Sequence, residues 1–313
     1  MKHRQPTYWK RYDQVFKRFS SWQIYCKIKE LTHGLGKPFE KRGARGPKFK
    51  IAPEEYAAYE FYQIIRTNAS FRDMEQDAEL FVGMHLDHGT FHKNFMKIPY
   101  EYLQRLLRAI VQLLEQLLGY CMITIVDSTG ISTKQYEETL IKGKVKLRNK
   151  EYKLHTLLAS HPDKQTTFYI DAMMSDKHIS DAEGAKRLIV SNQTTGYHLG
   201  DRGFDAEKVY EAILEKEGIP IIKPKVHKAK MASYKAQGRT CYQEHIYREF
   251  RGVIETSYGG LENAGMIQTR CVREDSIAKK GMLAAIRHNL MVYLRAVAET
   301  VAQLLELVDK LDI

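Results

Sequence analysis

Cysteine is scarce in this chain, and long apolar runs are missing. The four cysteines, Cys26, Cys121, Cys241 and Cys271, show no CxxC spacing. That excludes a zinc ribbon or a disulfide framework and leaves reduced, mostly buried thiols of a cytoplasmic protein as the expectation. No stretch approaches the ~18 uncharged apolar residues of a membrane span. Residues 1–6 are charged and polar where a signal peptide would be apolar, so neither export nor membrane insertion is expected. A Walker A loop, zinc-ligand spacing and a nucleophile elbow are also lacking, which speaks against the chemistries they carry.

Acidic residues are missing from one region in particular. Residues 1–50 hold three Asp or Glu against fourteen Lys or Arg, whereas the other 263 residues balance at 35 basic and 35 acidic. The whole net charge of +11 is thus concentrated at the N-terminus. A basic segment ahead of a neutral body reads as an arm for a polyanion. Nucleic acid is the expected partner, ahead of an anionic membrane surface.

With 313 residues, 43% of them hydrophobic, the chain is long for one domain and has enough apolar side chains for an ordinary core. Three parts are expected. Residues 1–50 form a basic arm and linker, with one helix around 7–32. The linker Lys41-Arg-Gly-Ala-Arg-Gly-Pro-Lys48 is too rich in glycine and proline for a helix. Arg42 and Arg45 on such a strand suit a narrow minor groove, and a solvated hinge is an equal reading.

Residues 51–118 read as helical. Pro53 opens a helix that runs to about Arg66 and breaks at Asn68. Ser70-Phe-Arg-Asp73 starts a second, ended by Gly83. Thr90 or His88 caps a short third helix carrying His92, Lys93 and Lys97. Helix, turn and basic helix outline a helix-turn-helix-like DNA-binding region. Leu103, Leu107, Ile110, Leu114 and Leu117 then mark an amphipathic helix, for core packing or a dimer seam.

Residues 119–313 predict an α/β domain. Strand-like runs fall at 121–126, 153–159, 166–171, 196–200 and 218–223, and helical patterns at about 181–191, 205–216 and 246–261. The order describes a mixed five-stranded sheet with flanking helices whose first three strands meander.

Three acids in this region stand out. Asp127 ends the run Met122-Ile-Thr-Ile-Val126 and precedes the turn-forming Ser128-Thr-Gly130. Asp201 ends Tyr197-His-Leu-Gly200. Glu255 lies on a helical stripe with Tyr247, Arg251 and Tyr258 at i, i+4, i+8 and i+11. Carboxylates at two strand ends and a later helix suit a pair of magnesium ions. Each has a plainer alternative as a turn former, a helix cap or a surface Arg251–Glu255 ion pair. Asp205 offers itself as the cap of the next helix, leaving Asp201 without a structural duty, and Asp181 in Ser180-Asp-Ala-Glu183 reads as part of a capping box.

The segments Ile125-Val-Asp-Ser-Thr129, Lys153-Leu-His155, Lys177-His-Ile-Ser-Asp181, Leu199-Gly-Asp-Arg-Gly-Phe-Asp205 and Tyr247 to Glu255 resemble the DDE transposases of bacterial and archaeal insertion sequences. Ser70-Phe-Arg72 and Gly89-Thr90-Phe-His-Lys93 resemble that group's N-terminal helices, so the likeness covers about residues 40–295. One departure is that Tyr247 and Arg251 are separated by three residues where the family has two. The resemblance implies a ribonuclease H-like catalytic domain with Asp127, Asp201 and Glu255 as its metal-binding acids. It also implies two Mg²⁺ ions, with Mn²⁺ as a substitute, and double-stranded DNA as partner. A homodimer assembled on DNA, in the nucleoid of a prokaryotic cytoplasm, is expected with it. The implied reaction is cleavage at transposon ends followed by joining of the 3′-hydroxyls to target DNA. A structure-selective nuclease on the same fold and a non-catalytic DNA-binding relative remain as alternatives. Between the acids, residues 224–246 are expected to form a modest basic loop, either merely solvated or, slightly ahead of that, with Lys223, Lys225, Lys228 and Lys230 on the DNA backbone beside Tyr247 and Arg251 on phosphate.

Overall fold

The computed structural model describes residues 19–40, 48–141, 144–161, 166–176, 178–226 and 232–310. Arg42, Arg45, Lys228, Lys230 and the beginning of the expected first helix lie outside them. The chain divides into two compact units, Met1–Leu117 with Asn289–Ile313, and Leu118–His288. Among the described residues no helix is long and apolar enough to cross a membrane.

The first unit is helical. Ser20 and Gln23 form a reciprocal cap on α1 (Ser21–Leu35). Helix α2 (Pro53–Thr67) opens on Pro53 and ends at Asn68, whose left-handed backbone (φ 54°) stops it. Helix α3 (Phe71–Val82) has the capping box of Ser70 with Asp73 and stops at Gly83. Helix α4 (His88–Lys97) is capped by Asp87, which accepts a hydrogen bond from the Gly89 amide. The expected cap at Thr90 or His88 was therefore wrong: both lie inside the helix, and the shorter acidic side chain just before it reaches the free amides. Helix α5 (Tyr100–Leu118) buries Leu103, Leu106, Leu107, Ile110 and Leu114. Tyr25, Tyr59, Tyr62, Phe81 and Phe91 pack ring against ring between α1, α2, α3 and α4.

The second unit is built on a sheet of strands β1 (Ile123–Ile141), β2 (Lys144–His161), β3 (Thr166–Asp176), β4 (Tyr197–Gly200) and β5 (Ile219–Ile222). Their order is β3-β2-β1-β4-β5. The first three strands meander antiparallel, and β4 and β5 add in parallel beside β1. This is the ribonuclease H-like arrangement. A sixth strand, β6 (Gln268–Thr269), pairs with β1 at Ser132 and Thr133, so the sheet has six strands instead of the expected five. A two-residue strand carries too little periodicity to be read from sequence.

Helices α6 (Asp181–Ser191) and α7 (Glu207–Leu214) cover one face. They bury Ala185, Leu188, Ile189, Val209 and Ile213 against Val126, Leu157 and Ile222 of the strands. Helices α8 (Ser233–Thr240), α9 (Glu244–Phe250), α10 (Gly252–Asn263) and α11 (Glu274–Lys310) follow. Helix α10 sits on the opposite face, where Ser257 donates to the Tyr169 hydroxyl at 2.6 Å. Helix α11 passes Gly281, where a Cβ would lie 2.3 Å from the Met174 sulfur. The missing side chain allows close packing of helix on strand, which offsets the entropic cost of glycine in a helix.

Two expectations fail here. Ser128-Thr-Gly130 is not a turn, because β1 continues through it to Ile141 in register with β2. Asp127 therefore lies mid-strand. Cross-strand pairing and the alternation of Thr129, Ile131 and Thr133 outweigh the local turn preference. Residues 224–246 are not simply a loop, since α8 forms within them.

Candidate active site

Strand alternation decides which face each side chain takes. Val126 joins the core under α6 and α7, so Asp127 points to the α10 face. Ile125 of β1 is paired with Leu199 of β4 in parallel register. Asp127 lies two residues further along β1, and Asp201 follows Gly200 just past the end of β4 in extended backbone, near enough for its charge to act on the Asp127 carboxyl. Lys223 continues β5 past Ile222, which pairs with Gly200, and its amide donates to the Gly200 carbonyl at 3.1 Å. It therefore falls beside Asp201.

Arg251 comes from the helical side. Its backbone is helical (φ −61°, ψ −37°) and its amide donates to the Tyr247 carbonyl, so the helical phase runs unbroken from α9 into α10. The stripe of Tyr247, Arg251, Glu255 and Tyr258 therefore survives the boundary. Arg251 Nη2 lies 3.1 Å from Asp127 Oδ2. The Tyr258 hydroxyl meets Thr156 Oγ1 at 2.6 Å, and Thr156 is the β2 partner of Asp127. The plainer alternative, a surface pair of Arg251 with Glu255, gives way to this reach to Asp127. Arg251 Nη1 is buried and has no hydrogen-bond partner among the described residues. Lys223 Nζ sits 5.3 Å from the centre of the Tyr247 ring.

The electrostatics follow from this packing. Burial pushes the Asp127 carboxyl up to about 6, with the Asp201 charge adding to the rise and Arg251 and the Ser128 amide opposing it. Burial also raises the Tyr247 hydroxyl, with Arg251 pulling it back. Asp201 Oδ1 accepts the Gly203 amide at 2.6 Å and caps the short 3-10 turn Arg202–Phe204. Asp201 thus does have a structural duty. The capping expected of Asp205 does not occur, because the N-cap of α7 is Ala206, which offers no side-chain hydrogen bond. Asp205 is buried instead, accepting from the Lys225 amide at 2.8 Å and the Tyr210 hydroxyl at 3.0 Å and pairing with Arg239 and Lys235. No local pattern foretells this, since Arg239 lies 34 residues away.

Asp181 also departs from its expected role. Ser180 caps α6, while Asp181 reaches back to the sheet, accepting from Ser128 Oγ at 2.7 Å and Lys153 Nζ at 2.9 Å. His155 is buried beneath it, bonded to Ser175 Oγ at 2.8 Å. The period-two alternation after Asp127 was the available signal, because it puts Ser128 and His155 on the α6 face together.

Glu255 is exposed on α10. Among the described residues, the one acidic or histidine group whose ligand atoms all lie within 4.8 Å of one another is Glu75, Asp87 and His88. The Asp127, Asp201 and Glu255 side chains are thus not drawn into such a cluster. The first is accounted for otherwise, since Glu75 pairs with His88 at 2.7 Å and Asp87 caps α4. Of the remaining expected DNA contacts, Lys225 is exposed. His92 and Lys93 are exposed in the first unit, whereas Lys97 lies 5.4 and 5.5 Å from the Phe39 and Phe49 ring centres.

Residues 122–290 match the family of the transposase DDE domain, over more than half of the chain. The chain belongs to this family. Its members are DNA-cleaving and DNA-transferring enzymes that use divalent metal ions. One solved structure, the cryo-EM structure of a piggyBac transposase synaptic complex with hairpin DNA, is similar over 89% of this chain and 73% of that one, at 11% identity and a TM-score of 0.41. No curated protein matches the chain.

Proposed function

We propose that this transposase cleaves DNA at transposon ends and joins the freed 3′-hydroxyls to target DNA, with Asp127, Asp201 and Glu255 as the acids that hold two Mg²⁺ ions. The observation that carries the reading is the parallel register of β1 and β4, which brings Asp127, paired with Arg251, within electrostatic reach of Asp201 at the end of β4. The donor set fits the ions: all three side chains offer hard carboxylate oxygens, and two carboxylates whose charges act on each other favour a cation between them. Bound there, the metals would polarise the phosphate and stabilise the attacking and leaving oxygens. Glu255 shares the helical stripe of Arg251, one turn on, and would supply the third carboxylate.

The protein's own share is positioning and charge. Arg251, with a buried donor nitrogen still unused, is suited to a phosphate oxygen. Tyr247 supports the guanidinium, and Lys223 and Lys225 extend the cationic rim along the DNA backbone. Asp205 holds that rim through the Lys225 amide. His92, Lys93 and Lys97 provide a separate duplex contact in the first unit, with the basic arm and its Arg42 and Arg45 as further phosphate contacts. Joining two ends calls for two protomers, so a homodimer on DNA is part of the proposal, as is action at the nucleoid. A structure-selective nuclease would cut but never join, and a strand-transfer assay separates the two.

The test is cleavage and end binding by Asp127→Asn, Asp201→Asn and Glu255→Gln with Mg²⁺. Each variant should lose roughly 10²-fold or more in cleavage while keeping most of its DNA affinity. Substantial Mg²⁺-dependent cleavage by any one of them removes that residue from the site.

A further inference from the structure

Strands β1 and β2 outrun the sheet. The pairs Tyr136↔Asn149 to Ile141↔Lys144 continue the hairpin, but β6 reaches only Thr133 and β3 only Tyr152. Among the described residues no third strand joins the overhang. Six paired positions of a strand span about 20 Å. Nothing in the proposed chemistry uses this ribbon.

Its base is held firmly. Between the pairs Ser132↔Glu151 and Tyr136↔Asn149, three β1 residues oppose Lys150 alone. Such a bulge turns a strand aside. Thr133 Oγ1 donates to the Lys150 carbonyl at 2.7 Å, and the Gln135 amide donates back to Thr133 Oγ1 at 3.1 Å. Gln135 Nε2 reaches the Val272 carbonyl at 2.6 Å, and Lys150 Nζ meets Glu274 at 3.2 Å. The direction of the arm is therefore set by the fold of this unit.

Its charge distinguishes it from the rest of the body. From Lys134 to Lys150 the sequence has six basic and two acidic residues. The rest of residues 51–313 then holds 29 basic and 33 acidic. Lys146 and Arg148, two apart on β2, share one face and are exposed. Val145 and Leu147 take the other face with Tyr136, and these are 63%, 69% and 71% exposed.

We propose that this ribbon is a DNA-gripping arm, with Lys146 and Arg148 on duplex phosphates. This rests on the transposase reading above and adds a contact surface that reading does not include. A two-stranded ribbon fits the width of the major groove, and phosphate neutralisation supplies most of the sequence-independent affinity. The apolar face alone would suit a second copy of the chain. A self-complementary contact, however, brings the same surface from both copies together, here two arms each carrying an excess of four positive charges. A polyanion removes that repulsion.

The test uses the full chain and a fluorescein-labelled 40-base-pair duplex of arbitrary sequence, titrated at several NaCl concentrations without divalent metal. For Lys146→Ala with Arg148→Ala, the slope of log affinity against log salt should fall by about 1.8. A chain with residues 138–147 replaced by an Asn-Gly turn should lose about two to three units of slope by the same relation. Circular dichroism matching wild type shows that the sheet is intact in each. An unchanged slope in both variants, with wild type still binding, overturns the arm and leaves the transposase reading standing. The arm is also overturned if Tyr136→Ser with Leu147→Ser abolishes a dimer in sedimentation while the alanine pair leaves the slope unaltered. Wild-type chain that binds no duplex at all sinks both ideas.

Discussion

Replacing Asp205 with Asn should destabilise the catalytic unit severely. Asp205 is buried, and it accepts from the Lys225 amide, the Tyr210 hydroxyl and Arg239 while pairing with Lys235 at 3.3 Å. Asn keeps the shape and some hydrogen bonds but leaves two cations, 14% and 13% exposed, without a counter-charge. Breaking a buried pair from one side costs about 3–5 kcal/mol. For a unit of this size that is roughly 6–20 °C of melting temperature. The pH dependence gives a second, independent reading. Burial alone would raise the Asp205 carboxyl, but Arg239, the Lys225 amide, Tyr210 and Lys235 outweigh it and pull it down to about 2. A depressed carboxylate adds stability that is complete above its unfolded value and lost as pH falls through its folded one. The gap between wild type and Asp205→Asn should therefore be constant from pH 5 to 8 and narrow by about 2 kcal/mol from pH 4 to 2. Urea unfolding across that range measures it. Adding Arg239→Met should recover part of the loss, because the stranded cation is then gone. A penalty below about 1 kcal/mol at pH 7 would refute the view that this cluster holds the α7–α8 region together.

Two further outcomes follow from buried groups away from the acids. Burial pushes the His198 imidazole down to about 4, with Thr124 Oγ1 on its Nδ1 at 2.8 Å. The unfolded chain takes up this proton first, so stability should fall between about pH 6.5 and 4 by roughly 3 kcal/mol. His198→Asn should flatten that part of the urea-derived stability profile, and an unaltered slope would assign the acid sensitivity elsewhere. Gly184→Ala would put a Cβ 2.4 Å from the His155 ring, which Ser175 holds in place. Overpacking of this kind costs about 1–3 kcal/mol, and a thermal midpoint equal to wild type would show that the ring gives way freely.

The elements themselves were legible wherever local chemistry marks them. Pro53, Asn68, the Ser70–Asp73 box and Gly83 bound their helices as read, because caps and breakers act within a few residues. The strand-like runs that contain Asp127 and Asp201 were also visible, as was the stripe of Tyr247, Arg251, Glu255 and Tyr258. What was not legible is where neighbouring acids send their charge. Asp205 reads as a helix cap and Asp201 as free of structural duty, yet Asp201 caps a turn and Asp205 is buried among cations from a helix 34 residues on. Asp181 looks like part of a cap and instead braces Ser128, and Ser128-Thr-Gly130 looks like a turn and is the middle of a long strand. Arg251 has Glu255 one turn away and pairs with Asp127. Periodicity and capping are properties of a few consecutive residues, so the sequence alone determined the elements and the faces they present. Strand register and the partner of each charge depend on which distant segments meet, and only the tertiary structure decided those.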